Sequence, residues 1–355
     1  MKIRKYSIIV LLIAIVCCMG NLKAQANEED FASLNYRGEV KKTGTSAAAF
    51  LEIGVGARAQ SMGGAYVAIS NDISGSYWNP AGVSLINTLG ASANHSNWLG
   101  ETSYEYFGIV FPVASNMSFG LSLTSLDYGQ KQPVRTIIQP EGTGEYYSAS
   151  DIAIAATFGM NVTYGFSFGV TGKYIEQNIW HESANTFAFD LGIHYKTDLE
   201  GLTMGASISN FGGDLKMEGR DLIRAYDSDE KNYSNDKLNV TLQTDEFPLP
   251  LIFRFGLAYQ FLVTENHKFI LTSDLIHPSN NVVSLNSGFE YTALKVISLR
   301  GGYESIFDDM SEKGLTLGVG FRNPFSEVLD FTIDYAYSDF GILGYVQRFS
   351  LDISL

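Results

Sequence analysis

Long runs of strict alternation constrain this chain more than any other feature. Phe253, Phe255, Leu257, Tyr259 and Phe261 alternate with Arg254, Gly256, Ala258 and Gln260. Phe187, Phe189, Leu191, Ile193 and Tyr195 alternate with Ala188, Asp190, Gly192, His194 and Lys196. Phe331, Ile333, Tyr335 and Tyr337 do the same with Thr332, Asp334, Ala336 and Ser338. A period of two puts successive side chains on opposite faces of a strand. From Leu89 onward the pattern predicts fourteen strands, centred near Ala91, Phe107, Leu121, Ile154, Phe168, Phe189, Met204, Phe255, Leu271, Leu285, Leu299, Leu317, Ile333 and Leu351. Most run 9 to 12 residues. Soluble strands average about 5–6, whereas tilted membrane strands need about 9–11. One face of nearly every run is large and apolar, the other small, polar or charged.

The connections sort by parity. Those after even strands are tight: Val113 to Asn116, Asn161 to Tyr164, Thr197 to Gly201, Val263 to Asn266 and Thr292 to Lys295. The long ones, Gln130 to Ser148 and Gly212 to Pro250, follow odd strands. Outer-membrane barrels pair short periplasmic turns with longer external loops. The expected fold is therefore all-β: a 14-stranded antiparallel transmembrane barrel over 89–355, with both termini periplasmic. Phe349, Leu351, Ile353 and Leu355 end the chain on one face, similar to the terminal signal that outer-membrane assembly reads.

Residues 1–26 read as a signal peptide: basic Lys2, Arg4 and Lys5, an apolar Ser7–Met19, and Ala24-Gln25-Ala26 before the cut. Val16 and Cys17 precede the two cysteines, Cys17 and Cys18, where a lipobox wants a small residue. The remaining chain holds no cysteine and is strongly acidic, which excludes a disulfide framework and gives nucleic acid no electrostatic footing. Outer-membrane lipid is the expected surrounding. Residues 27–46 are polar and aperiodic, and read as a periplasmic lead.

Residues 47–88 do not alternate. Phe50 to Leu85 carries six glycines, a lone Arg58 among small residues, and an Asn79-Pro80-Ala81-Gly82 turn. A barrel of fourteen strands is wider than the roughly eight whose side chains fill their own interior, so something must block it if the membrane is to stay sealed. The segment is expected to be that luminal plug or hatch. Small residues such as Gly63 and Gly64 would let its backbone pass close to the wall, and Arg58 would need a luminal carboxylate. Asp190, Asp274, Glu290 and Asp334 all lie on polar faces and all remain candidates.

Phe50-Leu51, Gly56-Ala57-Arg58-Ala59, Met62-Gly63-Gly64-Ala65, Asn71-Asp72 and Trp78-Asn79-Pro80-Ala81-Gly82, in this order and spacing, resemble the N-terminal signature of the PorV/PorQ family of outer-membrane proteins. That family is related to the FadL group of hydrophobic-substrate channels, whose luminal hatch also carries an Asn-Pro-Ala turn. PorV-like members tend to carry Asn-Pro-Ala-Lys, where this chain has Gly82. The resemblance implies a non-enzymatic shuttle in type IX secretion, working with a translocon and secreted cargo proteins. The alternative is a FadL-like channel for hydrophobic small molecules, and a purely structural barrel is the third possibility. Aromatic loop residues Tyr146, Tyr147, Tyr226, Tyr233 and Phe247 suit docking or capture equally.

Three patterns invite other chemistry and lack its context. Gly54-Val55-Gly56-Ala57-Arg58-Ala59 fits a dinucleotide fingerprint, but no βαβ unit follows. Gly165-Phe166-Ser167-Phe168-Gly169 fits a nucleophile elbow, with Ser167 mid-strand. Asp227 to Asn232 resembles the start of a calcium loop without its glycine or terminal Glu. The five histidines, 95, 181, 194, 267 and 277, show no ligand spacing. No enzyme, cofactor or metal is expected.

Overall fold

The alternation is realised strand for strand. A computed structural model describes residues 42–227, 238–264, 266–308, 310–323 and 329–355. In it fourteen antiparallel strands close one ring. They are β1 (Gly90–Trp98), β2 (Thr102–Ala114), β3 (Met117–Asp127), β4 (Ala149–Thr163), β5 (Phe166–Ile179), β6 (Glu182–Lys196) and β7 (Leu202–Gly212). Then follow β8 (Ile252–Thr264), β9 (His267–Pro278), β10 (Ser284–Ala293), β11 (Ile297–Ile306), β12 (Leu315–Arg322), β13 (Asp330–Asp339) and β14 (Tyr345–Ser354). Each pairs with its sequence neighbours, and β14 pairs with β1, Leu351 opposite Ala93, so no edge is left to template aggregation.

One end of the ring carries tight turns such as 115–116, 164–165 and 294–296; the other carries 128–148 and 213–251. Both long connections fold on themselves. Gln132–Pro133 pairs with Tyr146–Tyr147, Ile223–Tyr226 with Leu238–Thr241, and Leu215–Lys216 with Glu246–Phe247.

The two faces of the wall are chemically opposite. Phe253, Leu257, Leu317 and Ile333 are 40–50% exposed on the outside, while Arg254, Ala258, Thr316 and Asp334 between them are buried inside. Such a belt of exposed apolar side chains suits acyl chains, not water.

Residues 47–88 occupy the inside. Two short helices, α1 (Ala57–Ser61) and α2 (Gly75–Trp78), and a 3-10 segment Pro80–Leu85 account for most of their regular structure. The wall receives this backbone in glycine sockets. A Cβ at Gly169 would lie 2.2 Å from Pro80 C, at Gly192 2.1 Å from Asn79 Oδ1, and at Gly205 2.3 Å from Val67 O. At Gly288 it would meet Met62 O at 2.2 Å, and at Gly302 Gly63 N at 2.3 Å. These glycines are cross-strand partners, Gly169 with Gly192 and Gly288 with Gly302, so the sockets run as shallow tracks around the wall.

The chain enters at the long-loop end. Ala47 N donates to Pro248 O (2.9 Å), Ala48 N to Gln177 Oε1 (3.0 Å), and Asn280 Nδ2 to Ser46 Oγ (2.7 Å). It leaves at the turn end, where Leu355 N donates to Leu89 O. This corrects the expectation of a lead through 46 on the same side as the C-terminus, because residues 42–46 lie at the opposite end. The cause is apolar cover. Phe50, Leu51, Ile53 and Val55 pack on Tyr104, Leu126, Ile175, Leu215 and Leu249, all near the long loops. The expected signal segment 1–26 lies outside the described residues.

The sockets generate a prediction. Gly192→Val and Gly302→Val each drive a side chain into hatch backbone, an overpacking cost of about 1–3 kcal/mol. Gly172 sits on the outer face, where a Cβ meets only Phe189 at 3.9 Å. In detergent, the temperature at which the folded band converts to the unfolded band on gels should drop for Gly192→Val and Gly302→Val. It should stay at the wild-type value for Gly172→Val.

Candidate functional site: the hatch and its charged latch

Local chemistry shapes the hatch before the wall does. Gly63 and Gly64 both have left-handed backbones, at φ 68° and 65°, and turn the chain sharply after α1. Asn79 sits at φ −150°; its Oδ1 accepts from Ala81 N (3.1 Å), capping the 3-10 segment that begins at Pro80. Its Nδ2 donates to Val67 O and to Ile193 O of β6, both at 2.9 Å, so one side chain ties the turn to hatch and wall together. Gly82 has no room for a side chain: a Cβ there would lie 1.9 Å from Ser70 O. Ala81 beside it is fully buried. A lysine at 82, as PorV-like members tend to carry, would require a different path for the 67–70 backbone.

Arg58 leaves α1 toward the wall and finds Glu290 on β10. Its Nε donates to Oε2 (2.9 Å) and its Nη2 to Oε1 (3.0 Å), a bidentate pair. Its Nη1 reaches Asn71 Oδ1 (2.9 Å) and Asp72 Oδ2 (3.3 Å) within the hatch. Glu290 is shared. Arg300 Nε donates to its Oε2 (2.7 Å), and Arg300 Nη1 continues to Asp334 Oδ1 (2.6 Å). Asp72, Arg58, Glu290, Arg300 and Asp334 thus form one chain of alternating charge. Burial opposes the charged form of Arg58, but Glu290 and Asp72 outweigh it and raise its pKa well above the ordinary guanidinium value. The Tyr66 ring lies 5.5 Å from the guanidinium, and its hydroxyl donates to Asp72.

The other candidate carboxylates hold different partners. Asp274 Oδ2 accepts from Tyr66 N (2.7 Å) and Val67 N (2.9 Å), anchoring hatch backbone directly. Asp190 Oδ2 lies 2.6 Å from Lys173 Nζ, and its Oδ1 accepts from Asn210 N, both on the wall.

Beyond the latch, toward the turn end, lies a cavity of about 560 Å³ bounded by the hatch at Asp72 and Leu85–Thr88 and by β9–β14. Its lining includes Arg58, Lys268, Glu290, Arg322, Asp330 and Asp334, so it is a charged vestibule. The long-loop side of the hatch carries instead the apolar cluster of Phe50, Leu51, Ile53 and Val55.

The loop aromatics are not brought together. Tyr146 and Tyr147 lie in the 128–148 hairpin, Tyr226 and Phe247 in separate pairings of 213–251. All four are exposed, and Tyr233 lies outside the described residues. Ser167 is buried on the inner face and donates to Asn161 Oδ1. His194 sits beside Ala68 O at 3.1 Å, and His181 is held between Asp221 and Arg220. No group of three metal-ligating side chains occurs among the described residues. Of the calcium-like run, Asp227 is described and 228–232 lie outside. Arg300 and the socket glycines were not singled out from the sequence. Glycines recurring at inward positions of adjacent strands were the available signal for the latter.

No protein-family model matches the chain, and no curated protein matches its sequence. Solved structures do resemble it. The CymD monoaromatic hydrocarbon channel superposes with a TM-score of 0.53 at 13% identity, covering 85% of this chain and 96% of that one. The Ralstonia pickettii toluene transporter TbuX gives 0.52 at 12% identity, with 85% and 97% covered. The Pseudomonas putida toluene transporter TodX gives 0.51 at 13% identity, again with 85% and 97% covered. At such identities the likeness establishes the fold: a closed barrel of the kind built by FadL-type outer-membrane channels.

Proposed function

We propose that the chain is an outer-membrane channel for hydrophobic small molecules, gated by movement of the hatch 47–88. The observation that carries this reading is the asymmetry across the hatch. A buried apolar cluster closes the long-loop end and would have to part to admit an apolar solute, a charged vestibule lies at the other end, and one latch stands between them. The fold likeness to channels titled for toluene and monoaromatic hydrocarbons supports it. No catalytic step belongs to this reading: the solute crosses unchanged, and the barrel supplies a path that excludes bulk water until the hatch shifts.

The secretion reading that the PorV/PorQ resemblance implies remains a second proposal. It rests on the 50–85 signature and on the exposed apolar loop tips Ile137, Ile138, Ile342 and Leu343. Those tips suit docking of a translocon or secreted cargo in type IX secretion.

Orientation is tested first. A peptide tag inserted between Ile137 and Ile138 should bind antibody on intact cells, and one at Lys295 only after permeabilisation. The reverse pattern inverts the barrel.

The latch is tested next. Arg58→Ala leaves Glu290 short of a partner in a site where removing one member of a buried pair costs about 3–5 kcal/mol, less where cavity water screens it. In planar bilayers, Arg58→Ala and Glu290→Gln should both conduct more than wild type. The double variant should fall short of the sum of the two, since both changes break the Arg58–Glu290 contact while Glu290→Gln also weakens the hold on Arg300. Uptake of radiolabelled toluene by intact cells, whose lipopolysaccharide leaflet slows unaided entry, should rise in step with conductance. Higher conductance with unchanged toluene uptake would leave a gated pore but remove the hydrophobic substrate. Loss of cargo display on deleting 213–251, with uptake intact, would favour the secretion reading.

A further inference from the structure

The apolar outer belt thins at β1, where four successive outward positions lack a large apolar side chain. β1 turns Ala91, Ala93, His95 and Asn97 outward, while β2 beside it presents Phe107, Ile109 and Phe111, and β14 presents Phe349, Leu351 and Ile353. The result is a notch of about 440 Å³ over Ala93, walled by Phe107, Leu123, Ile333, Phe349 and Leu351. The wall behind it is intact, because β1 pairs in unbroken register with both neighbours. On the long-loop side of the notch His95 Nδ1 lies 2.6 Å from Glu105 Oε1, and Nε2 lies 3.1 Å from Asn97 Oδ1. These are outward groups: the His95 and Glu105 side chains are 46% and 50% exposed. Acyl chains offer an imidazole and a carboxylate nothing, and ionisable groups on a lipid face are costly.

We propose that this face is an interface through which a second copy of the chain packs alongside the first in the membrane. His95 and Glu105 are direct cross-strand partners. A two-fold axis along the membrane normal, passing between them, sets His95 opposite Glu105 of the partner subunit, and the same pairing recurs on the other side of the axis. The surface is therefore self-complementary in charge. It is also complementary in shape, since Ala91 and Ala93 let two convex walls approach and leave room for a bulky apolar neighbour. Phe107, 51% exposed beside the axis, supplies that neighbour to the other copy. A lipid chain would fill the notch equally well but would offer the outward His95–Glu105 pair no group of opposite charge. Charge complementarity selects the second copy.

The test uses the chain purified from outer membranes and placed in lipid nanodiscs, with mass read by native mass spectrometry. Wild type should give the mass of two chains. Ala93→Phe fills the notch and should lower the association constant about ten-fold, near 1.4 kcal/mol, with a visible loss of dimer. Its heat-modifiable migration should be unchanged, which separates lost pairing from lost folding. Ala206→Phe, on the outer face of the remote β7, should leave the dimer intact. His95→Glu and Glu105→His each oppose like groups and should dissociate the dimer, and the His95→Glu/Glu105→His exchange should restore it. A single-chain mass for wild type, with or without bound lipid, overturns the proposal. So does a wild-type dimer fraction in folded Ala93→Phe.

Discussion

The width of the ring governs the rest of the molecule. Fourteen strands enclose more volume than their own inward side chains can fill, and left empty they would form an aqueous pore. The chain solves this with its own N-terminal segment, and that choice dictates the composition of the inner wall. At seven places where the hatch comes closest, the strand has no side chain: Gly159, Gly169, Gly192, Gly205, Gly288, Gly302 and Gly318 would each place a Cβ within 3 Å of hatch atoms. The glycines that weaken individual strands by propensity are retained because hatch contact replaces the packing they forgo.

Bringing a segment inside also brings unsatisfied polar groups, and the wall answers with inward polar side chains. Asp274 takes two consecutive hatch N–H groups, Thr316 Oγ1 accepts from Gly63 N, and Ser350 Oγ accepts from Ala57 N. Each is an inward residue of an alternating strand. The polar face that reads as a lumen lining is therefore also a set of docking groups for one particular backbone.

This explains what was legible in the sequence. The strands were, because a two-residue period survives any tertiary arrangement; each predicted centre falls within the strand it named. That Arg58 needs a carboxylate was legible too, since a charge among small luminal residues requires one. Which carboxylate was not. Asp190, Asp274, Glu290 and Asp334 share the same face, and only the depth at which α1 crosses the ring gives Glu290 to Arg58 and sends Asp334 to Arg300. The direction of the hatch was hidden for a similar reason. Phe50, Leu51, Ile53 and Val55 show that an apolar cover is needed, but Leu215 and Leu249, which help supply it, lie in a long connection with no periodicity to read. The loop aromatics failed because exposure alone does not fix proximity: they sit in separate pairings.

The latch also ranks its own contacts. Glu290, Arg300 and Asp334 have side chains only 1–4% exposed, so none of them can lose its partner without stranding a charge in a dry site. Arg58 and Asp72 are each 16% exposed and border the vestibule, and their contact, at 3.3 Å, is the longest in the chain. Water from the vestibule can solvate either group on release, which lowers the cost of parting them. Glu290 keeps Arg58 in place while this happens, because its two hydrogen bonds to Arg58 are short and nearly dry. On the proposed gating reading, the Arg58–Asp72 contact to the 71–74 turn is therefore the part of the latch that costs least to break, while residues 61–63 sit in the sockets of Gly318, Gly288 and Gly302.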